Sequence, residues 1–109
     1  MVKPLAELKK IADKLNVPSG IDRYQGPAAA FAVYAMNEVG GDDFADNRAQ
    51  AHIANVRFDY TQAYNLPYQD KMFEIMDMLI DAGFDEPRIV IVNDNYKYRI
   101  LQFSTEILI

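Results

Sequence analysis

The fold is decided by the C-terminal stretch of residues 88–109, which reads RIVIVNDNYKYRILQFSTEILI. Its first part, residues 88–92, is rich in β-branched side chains, and such side chains favour strands. Residues 93–95 are Asn, Asp and Asn, which tolerate the backbone of a tight turn, and Tyr96 starts the return strand. The stretch therefore predicts an antiparallel hairpin that closes the fold.

The return strand contains apolar residues in two registers. Tyr98 and Ile100 are even-numbered, whereas Leu101, Phe103 and Ile107 are odd-numbered. Because successive side chains point to opposite faces of a strand, both sets cannot lie on one face of a regular strand. We predict either a β-bulge near Leu101 or a strand end that is covered on both faces, for example by another subunit.

A helix precedes the hairpin and has the clearest periodicity in the chain. Its apolar stripe, at the helical spacing i, i+3, i+4, i+7 and i+8, consists of Met72, Ile75, Met76, Leu79 and Ile80. Pro67 fits the first turn, and Gly83 is placed to end the helix in a left-handed conformation. Phe73 and Met78 lie off the stripe, which predicts a second buried surface.

The N-terminal part predicts another helix, with its apolar stripe at Leu5, Leu8, Ile11, Ala12 and Leu15. Residues 17–30 are rich in Pro and Gly and predict an irregular connector. The apolar run 31–36 predicts a buried strand that ends at Gly40 and Gly41. Residues 52–60 alternate between apolar and polar side chains, which predicts a half-buried strand with Arg57 and Asp59 on its solvent face.

These elements predict one α+β domain that spans residues 1–109. Their order is α-β-β-α-β-β, which predicts an antiparallel sheet of about four strands with two helices packed on one face.

Composition and charge exclude several classes of function. The chain has 16 acidic and 11 basic residues and a formal net charge of −5, which argues against direct binding of nucleic acid. It has no cysteine, so disulfides and thiolate metal sites are excluded. Neither a signal-peptide core nor an apolar run of roughly 20 residues is present, and we expect a soluble protein without a membrane partner.

No residue pattern predicts catalysis, a cofactor or a metal site. His52 is the only histidine and has no metal-ligand partners at a suitable spacing. The acidic group at residues 42–47 lacks the spacing of a calcium loop, and turn formation explains it more simply. The segment 96–99, Tyr-Lys-Tyr-Arg, resembles a nucleic-acid stacking pattern, but a solvated edge strand with tyrosines on one face and cations on the other gives the same alternation.

The order of several segments resembles the tail-completion and head-to-tail joining proteins of long-tailed bacteriophages, including tail terminators. The similar segments are the Leu-rich helix and Val-Pro connector at 5–18, Phe-Ala-Val-Tyr at 31–34, Asp-Phe-Ala-Asp-Asn at 43–47 and Phe-Asp-Tyr-Thr at 58–61. An acidic helix and a Tyr-rich final hairpin complete the similarity, which covers nearly the whole chain.

The resemblance implies a structural protein of the virion, made in the cytoplasm of the host bacterium. It implies a ring-shaped homo-oligomer, commonly of six subunits, between the tail tube and the head connector. DNA would pass through the ring without specific binding, and no catalysis or cofactor is implied. The alternative is a small regulatory or adaptor module that binds a protein partner through its sheet; an enzyme is the third possibility.

A ring subunit needs two different surfaces that meet head-to-tail. The acidic loop, the off-stripe helix residues and the apolar C-terminus are the candidate contacts. The predicted subunit-interface residues are Asp43, Phe44, Asp46, Asn47, Phe73, Met78, Ile107, Leu108 and Ile109.

Overall fold

Two helices pack on one face of a mixed sheet in a computed structural model that describes residues 2–41 and 52–109. Within these residues the sheet has five strands in the order β1-β2-β3-β5-β4. The elements in chain order are α1 (Pro4–Lys14), β1 (Ser19–Ile21), β2 (Phe31–Gly41), β3 (His52–Ala63), α2 (Gln69–Asp81), β4 (Arg88–Asp94) and β5 (Tyr98–Leu108). The predicted α+β class is therefore confirmed.

The strand count and the all-antiparallel arrangement are corrected by β1. This strand lies inside the predicted connector and pairs in parallel with β2. Three residues are too few to give a periodic pattern, so the sequence did not indicate a strand. A side chain at Gly20 would collide with the backbone carbonyl of Arg23, so the close approach of the following loop requires glycine there.

The centre of the sheet is β3, which pairs antiparallel with β2 and β5. Its even-numbered residues face the helices, as the alternation predicts. They join both helices in one buried cluster, which contains Leu8, Ile11, Ala12, Ala32, Tyr34, Ala54, Val56, Phe58, Tyr60, Ile75, Leu79, Phe84, Leu101, Phe103 and Ile107. Phe58 lies between Tyr34 and Phe103, with ring centroids at 6.4 and 6.5 Å, so aromatic packing links the three central strands.

The predicted bulge near Leu101 is wrong. β5 pairs with β3 in a continuous register from Tyr98 to Leu108, with its odd-numbered apolar residues toward the helices. The even-numbered Tyr98 and Ile100 point to the opposite face, where they are partly buried. The irregularity lies in β2 instead, between Met36 and Glu38.

Both early strands are longer than predicted. Gly40 and Gly41 do not break β2, because each pairs with β3 at the far end of the ladder. β3 continues to Ala63 for the same reason, since β5 provides a partner along its whole length. Cross-strand pairing therefore overrides weak local propensity.

The predicted end of α2 is confirmed. Gly83 has φ 102°, its N–H donates to the carbonyl of Ile80, and the N–H of Phe84 donates to that of Leu79. These two bonds form a Schellman motif, and Phe84 is buried in the core beside it. The start differs from the prediction, because α2 begins at Gln69, so that Pro67 precedes the helix.

The turn of the β4–β5 hairpin is shifted relative to the prediction. β4 continues through Asp94, and Tyr96 lies in the turn instead of the return strand. Asn95 and Tyr96 have φ 54° and 57°, and the N–H of Lys97 donates to the carbonyl of Asp94 at 3.0 Å. The loop has three residues, 95–97, and the two consecutive positive φ values at its start match the right-handed twist of the hairpin strands.

Candidate functional site

A groove of about 590 Å³ lies on the open face of the sheet, the face opposite the helices. Its floor includes side chains from the three central strands, among them Val33, Asp59 and Gln102. Tyr98 lines the end nearest the hairpin turn. Because each of these residues alternates with a core residue, the strand pairing that builds the core also fixes the groove.

The β1–β2 loop, residues 22–30, forms one wall of the groove. Tyr24 stacks on Phe31 with ring centroids 4.8 Å apart and an angle of 23° between the rings. The N–H of Asp22 donates to the carbonyl of Tyr34 at 2.9 Å, which joins the start of the loop to β2. A side chain at Gly26 would collide with the Tyr24 phenol, so the loop folds closely on itself.

Asp59 is the unusual residue of this groove. It lies in the middle of β3 and is only 8% exposed. Its Oδ2 atom accepts from Arg57 Nε at 3.0 Å, but its buried Oδ1 atom has no hydrogen-bond partner in the structure. Burial raises the pKa of the Asp59 carboxyl above its usual value, and the charge and hydrogen bond of Arg57 oppose that shift.

The charges that line the groove are mostly acidic. Asp22, Asp59 and Asp94 contribute carboxylates and Arg57 contributes the cation. In the described ranges, no three His, Cys, Asp or Glu side chains come close enough to hold a metal ion. The groove therefore offers an acidic surface spread over several ångströms instead of a compact ligand set.

A second cleft, of about 640 Å³, lies between β3, β5 and the segment before β4. Thr105 is part of its lining, and its hydroxyl donates to the carbonyl of Asp85. Among the residues that the structure describes, no buried side-chain atom of this cleft lacks a partner. The cleft therefore has no group that calls for a ligand.

An aromatic cluster surrounds Arg99 at the hairpin end of the helix face. The guanidinium lies between the rings of Tyr64 and Tyr68, 4.4 Å from each centroid. Tyr96 packs edge-on against Tyr64 at 5.5 Å. Residues 96–99 therefore do not alternate as predicted, because Tyr96 belongs to the turn and packs beside the ring that Arg99 contacts.

Two edges of the sheet are unpaired in the described part of the chain. β4 is an outer strand, and its Val90 and Ile91 are 49% and 42% exposed on opposite faces. At the other side, β1 covers β2 only as far as Tyr34, so residues 35–41 have no partner on that side. Unpaired strands with exposed apolar residues can pair with a strand of another chain.

The two predicted contact residues of α2 lie in different surroundings. Phe73 is 46% exposed, and Ile80, two turns further along the same face and predicted to belong to the buried stripe, is also exposed. The acidic Asp70, Glu74 and Asp77 are exposed on the same helix. Met78 instead packs against the core, so Phe73 is the residue that offers surface to a neighbour.

The remaining predicted contacts divide in the same way. Ile107 is part of the core, whereas Leu108 alternates to the other side and is exposed. Ile109 extends the pairing of β3, because its backbone exchanges hydrogen bonds with His52 at 2.8 and 3.4 Å. Four further predicted contacts lie outside the described residues: Asp43, Phe44, Asp46 and Asn47.

Comparison with known proteins gives no family for this chain. No protein-family model matches it, and a search of curated proteins finds no match. In the described ranges, no helix is long and apolar enough to cross a membrane. Any statement about function must therefore rest on the resemblance and on the surfaces described above.

Sequence reasoning missed the groove because it placed Asp59 on a solvated face. The alternation correctly predicted that Asp59 points away from the helices. It could not show that the β1–β2 loop lies beside this face. The position of Asp59 between Phe58 and Tyr60 in the most apolar part of β3 was the available signal. A charged residue at the centre of a central strand indicates either a solvated face or a built polar site.

Proposed function

We propose that this chain is a structural protein of a virion that completes a phage tail, or joins the tail to the head, as a closed ring of copies. The sequence resemblance supports the biological setting. The two unpaired sheet edges carry the structural argument. β4 has seven residues, and the free part of β2, residues 35–41, is of the same length.

The strand directions suit a head-to-tail ring. β2 and β5 run opposite to β3, and β4 runs opposite to β5, so β4 and β2 are antiparallel. A rotation about an axis along the strands would therefore place β4 of one copy antiparallel to β2 of the next. Such an interface uses two different surfaces and repeats around a ring.

The two edges lie at different heights, which sets the geometry of the ring. Through the pairing across β5, β4 lies level with residues 57–63 of β3, whereas residues 35–41 of β2 lie level with residues 52–57. The offset is about five residues, or about 17 Å, and the four strands from β2 to β4 add about 19 Å of sheet per copy. Strands would then tilt by about 40° from the ring axis, within the tilt of roughly 35–45° found in closed sheets.

The charge of the open face supports a ring with its helices outside. The five described acidic residues on or beside that face outnumber the four basic residues Arg23, Arg57, Arg88 and Lys97. The acidic ones are Asp22, Glu38, Asp59, Asp94 and Glu106. An acidic lumen would repel the phosphates of passing DNA, which agrees with passage without specific binding.

Charged substitutions at the outer strand test the ring. We expect Val90→Lys together with Ile91→Lys to prevent closure, because like charges on a strand edge oppose pairing. Sedimentation velocity should show a ring for the wild-type protein and a monomer for the double variant. Leu66→Lys is the matched control, because Leu66 is equally exposed but lies in the connector before α2.

Deletion of the gene from its phage tests the biological setting. Electron microscopy should show filled heads beside detached tails for a joining protein, or tails of uncontrolled length for a terminator. Normal infectious particles would contradict the proposal. In that case a ring-less monomer with an intact sheet would favour the alternative of an adaptor that binds a protein partner through its sheet.

A further inference from the structure

We propose that the groove on the open face binds a basic side chain of a protein partner, and that Asp59 holds the cation of that side chain. This inference uses the groove alone. It does not depend on the ring, because each copy contains every residue that the argument needs.

The first step is the unused acceptor of Asp59. One carboxylate oxygen is paired with Arg57, and the other is buried without a partner. A buried acceptor without a hydrogen bond is costly, so a donor that reaches it gains more than the same donor gains in water. Asp59 lines the groove, and a donor in the groove would reach Oδ1 once the carboxyl group turns toward it.

The second step is the sign of the charge that fits. The groove has three carboxylates for one guanidinium, which favours a cationic occupant over an anionic one. The carboxylates are too widely spread for the described residues to form a metal cluster. A cation at the end of a longer molecule satisfies both observations.

The third step is the shape and polarity of the walls. The floor beside Asp59 includes Val33 and Ile100, which are apolar, and the ring of Tyr98 lines the same space. Lysine and arginine bury an aliphatic stem along apolar surface while their charged end finds a polar partner. Lys97 Nζ already lies 5.4 Å from the centroid of the Tyr98 ring, so this ring contributes apolar contact surface for the aliphatic stem.

The fourth step is the source of the side chain. The groove is an open trough on a sheet face, and its volume of about 590 Å³ leaves room for neighbouring residues of a bound segment. The chain itself has 16 acidic and 11 basic residues, so a basic segment is more readily supplied by a different protein than by a second copy. The occupant is therefore a basic segment of a different protein.

A titration with short peptides tests the site. The probe is acetyl-Gly-Arg-Gly-amide, followed by amide chemical shifts of the labelled protein. We expect shifts at Val33, Asp59 and Gln102, and none of comparable size with acetyl-Gly-norleucine-Gly-amide. Asp59→Asn should weaken binding by roughly tenfold or more, because a hydrogen bond to a charged group is lost. Asp77→Asn, on an exposed turn of α2, should leave binding unchanged.

A second variant changes the affinity in the opposite direction. Arg57→Gln removes the cation that competes for Asp59, so it should bind the arginine peptide more tightly than the wild-type protein does. The same spectra show whether each variant is folded. If Asp59→Asn folds and binds as well as the wild type, or if Arg57→Gln folds and does not bind more tightly, the assignment to Asp59 is wrong.

Two further probes identify the source of the cation. If n-butylguanidinium, which has no peptide backbone, binds as tightly as the arginine peptide, the groove is a small-molecule site and the protein partner is excluded. If the norleucine peptide binds as tightly as the arginine peptide, the groove recognises only the apolar part of the side chain and not its charge. Either result contradicts this inference without affecting ring formation, which sedimentation measures separately.

Discussion

The two faces of β3 show how differently one strand can be used. The face toward the helices buries Val56, Phe58 and Tyr60 among apolar side chains, with aromatic rings in contact. The open face also buries Asp59 and Thr61, in the groove beside the β1–β2 loop, and leaves one carboxylate oxygen of Asp59 without a partner. Burial by apolar packing stabilises the fold, whereas burial of an incompletely paired carboxylate costs stability.

The comparison locates stability on one face and binding capacity on the other. A feature that costs stability is retained where a function depends on it. At such sites the residues often depart from what local sequence patterns predict. On the helix face Gln62 and Thr105 have hydrogen-bond partners, and the one buried atom without a partner among the described residues is Arg99 Nε, whose cationic guanidinium lies against the rings of Tyr64 and Tyr68. Variants on the two faces should therefore change different properties.

The largest effect is expected on the helix face, from Phe58→Ala. Removal of this fully buried ring leaves a cavity between Tyr34 and Phe103, and we expect a loss of about 3–5 kcal/mol in the free energy of unfolding. Urea denaturation measures the loss. Phe73→Ala, at an exposed ring of α2, should cost less than about 1 kcal/mol. Equal losses would mean that the core does not depend on this aromatic contact.

A smaller loss is expected from Gly20→Ala, which acts on the open face. The added methyl group collides with the Arg23 carbonyl, so the β1–β2 loop must move, and we expect a cost of about 1–3 kcal/mol. Tyr24 should lose its contact with Phe31, which amide shifts of both residues would report. Gly40→Ala is the control, because nothing lies within 4 Å of its new methyl group.

Sequence reasoning predicted the helix face well because that face obeys periodicity. The stripe of α2, the alternation in β3 and the glycine that ends α2 all follow from local rules, and the structure confirms them except at Ile80, a stripe residue that is exposed. The apolar residues of β5 also lie where their odd numbering places them. Their even-numbered neighbours needed no bulge, because both faces of β5 are partly covered at the hairpin end.

The open face was less predictable because non-local contacts build it. β1 is a strand only because β2 lies beside it, and the loop that follows β1 becomes a wall only because Tyr24 stacks on Phe31. Neither contact leaves a period in the sequence. The groove is lined by this loop as well as by the central strands, so it could not be predicted from β3 alone.

The contribution of the open face to stability should depend on pH, because that face buries the carboxyl of Asp59. The folded pKa of Asp59 is raised, so its proton is held more tightly in the folded state than in the unfolded state. This stabilisation is complete below the ordinary aspartate pKa of 3.8 and is lost as the pH rises through the folded pKa. Asp59→Asn removes the ionised form, and we expect a gain of about 1 kcal/mol near pH 7.

Urea midpoints between pH 3.5 and pH 7, in steps of about half a pH unit, measure the effect of Asp59→Asn. The difference between variant and wild type should grow as the pH rises and then become constant. Asp77→Asn should give a difference that does not change in this way. A constant difference for Asp59→Asn at every pH would show that the carboxyl has no shifted pKa.

The smallest effect is expected at the hairpin turn, where two faces meet. Tyr96 has φ 57°, a conformation that costs a non-glycine residue about 1 kcal/mol, and its exposed ring packs against Tyr64. Tyr96→Ala removes the ring and keeps the strain, whereas Tyr96→Gly removes both. We expect the glycine variant to be more stable than the alanine variant by about 1 kcal/mol and to lie within about 0.5 kcal/mol of the wild type. If urea denaturation shows the two variants to be equally stable, the backbone at Tyr96 is not strained and the aromatic contact alone sets the stability of the turn.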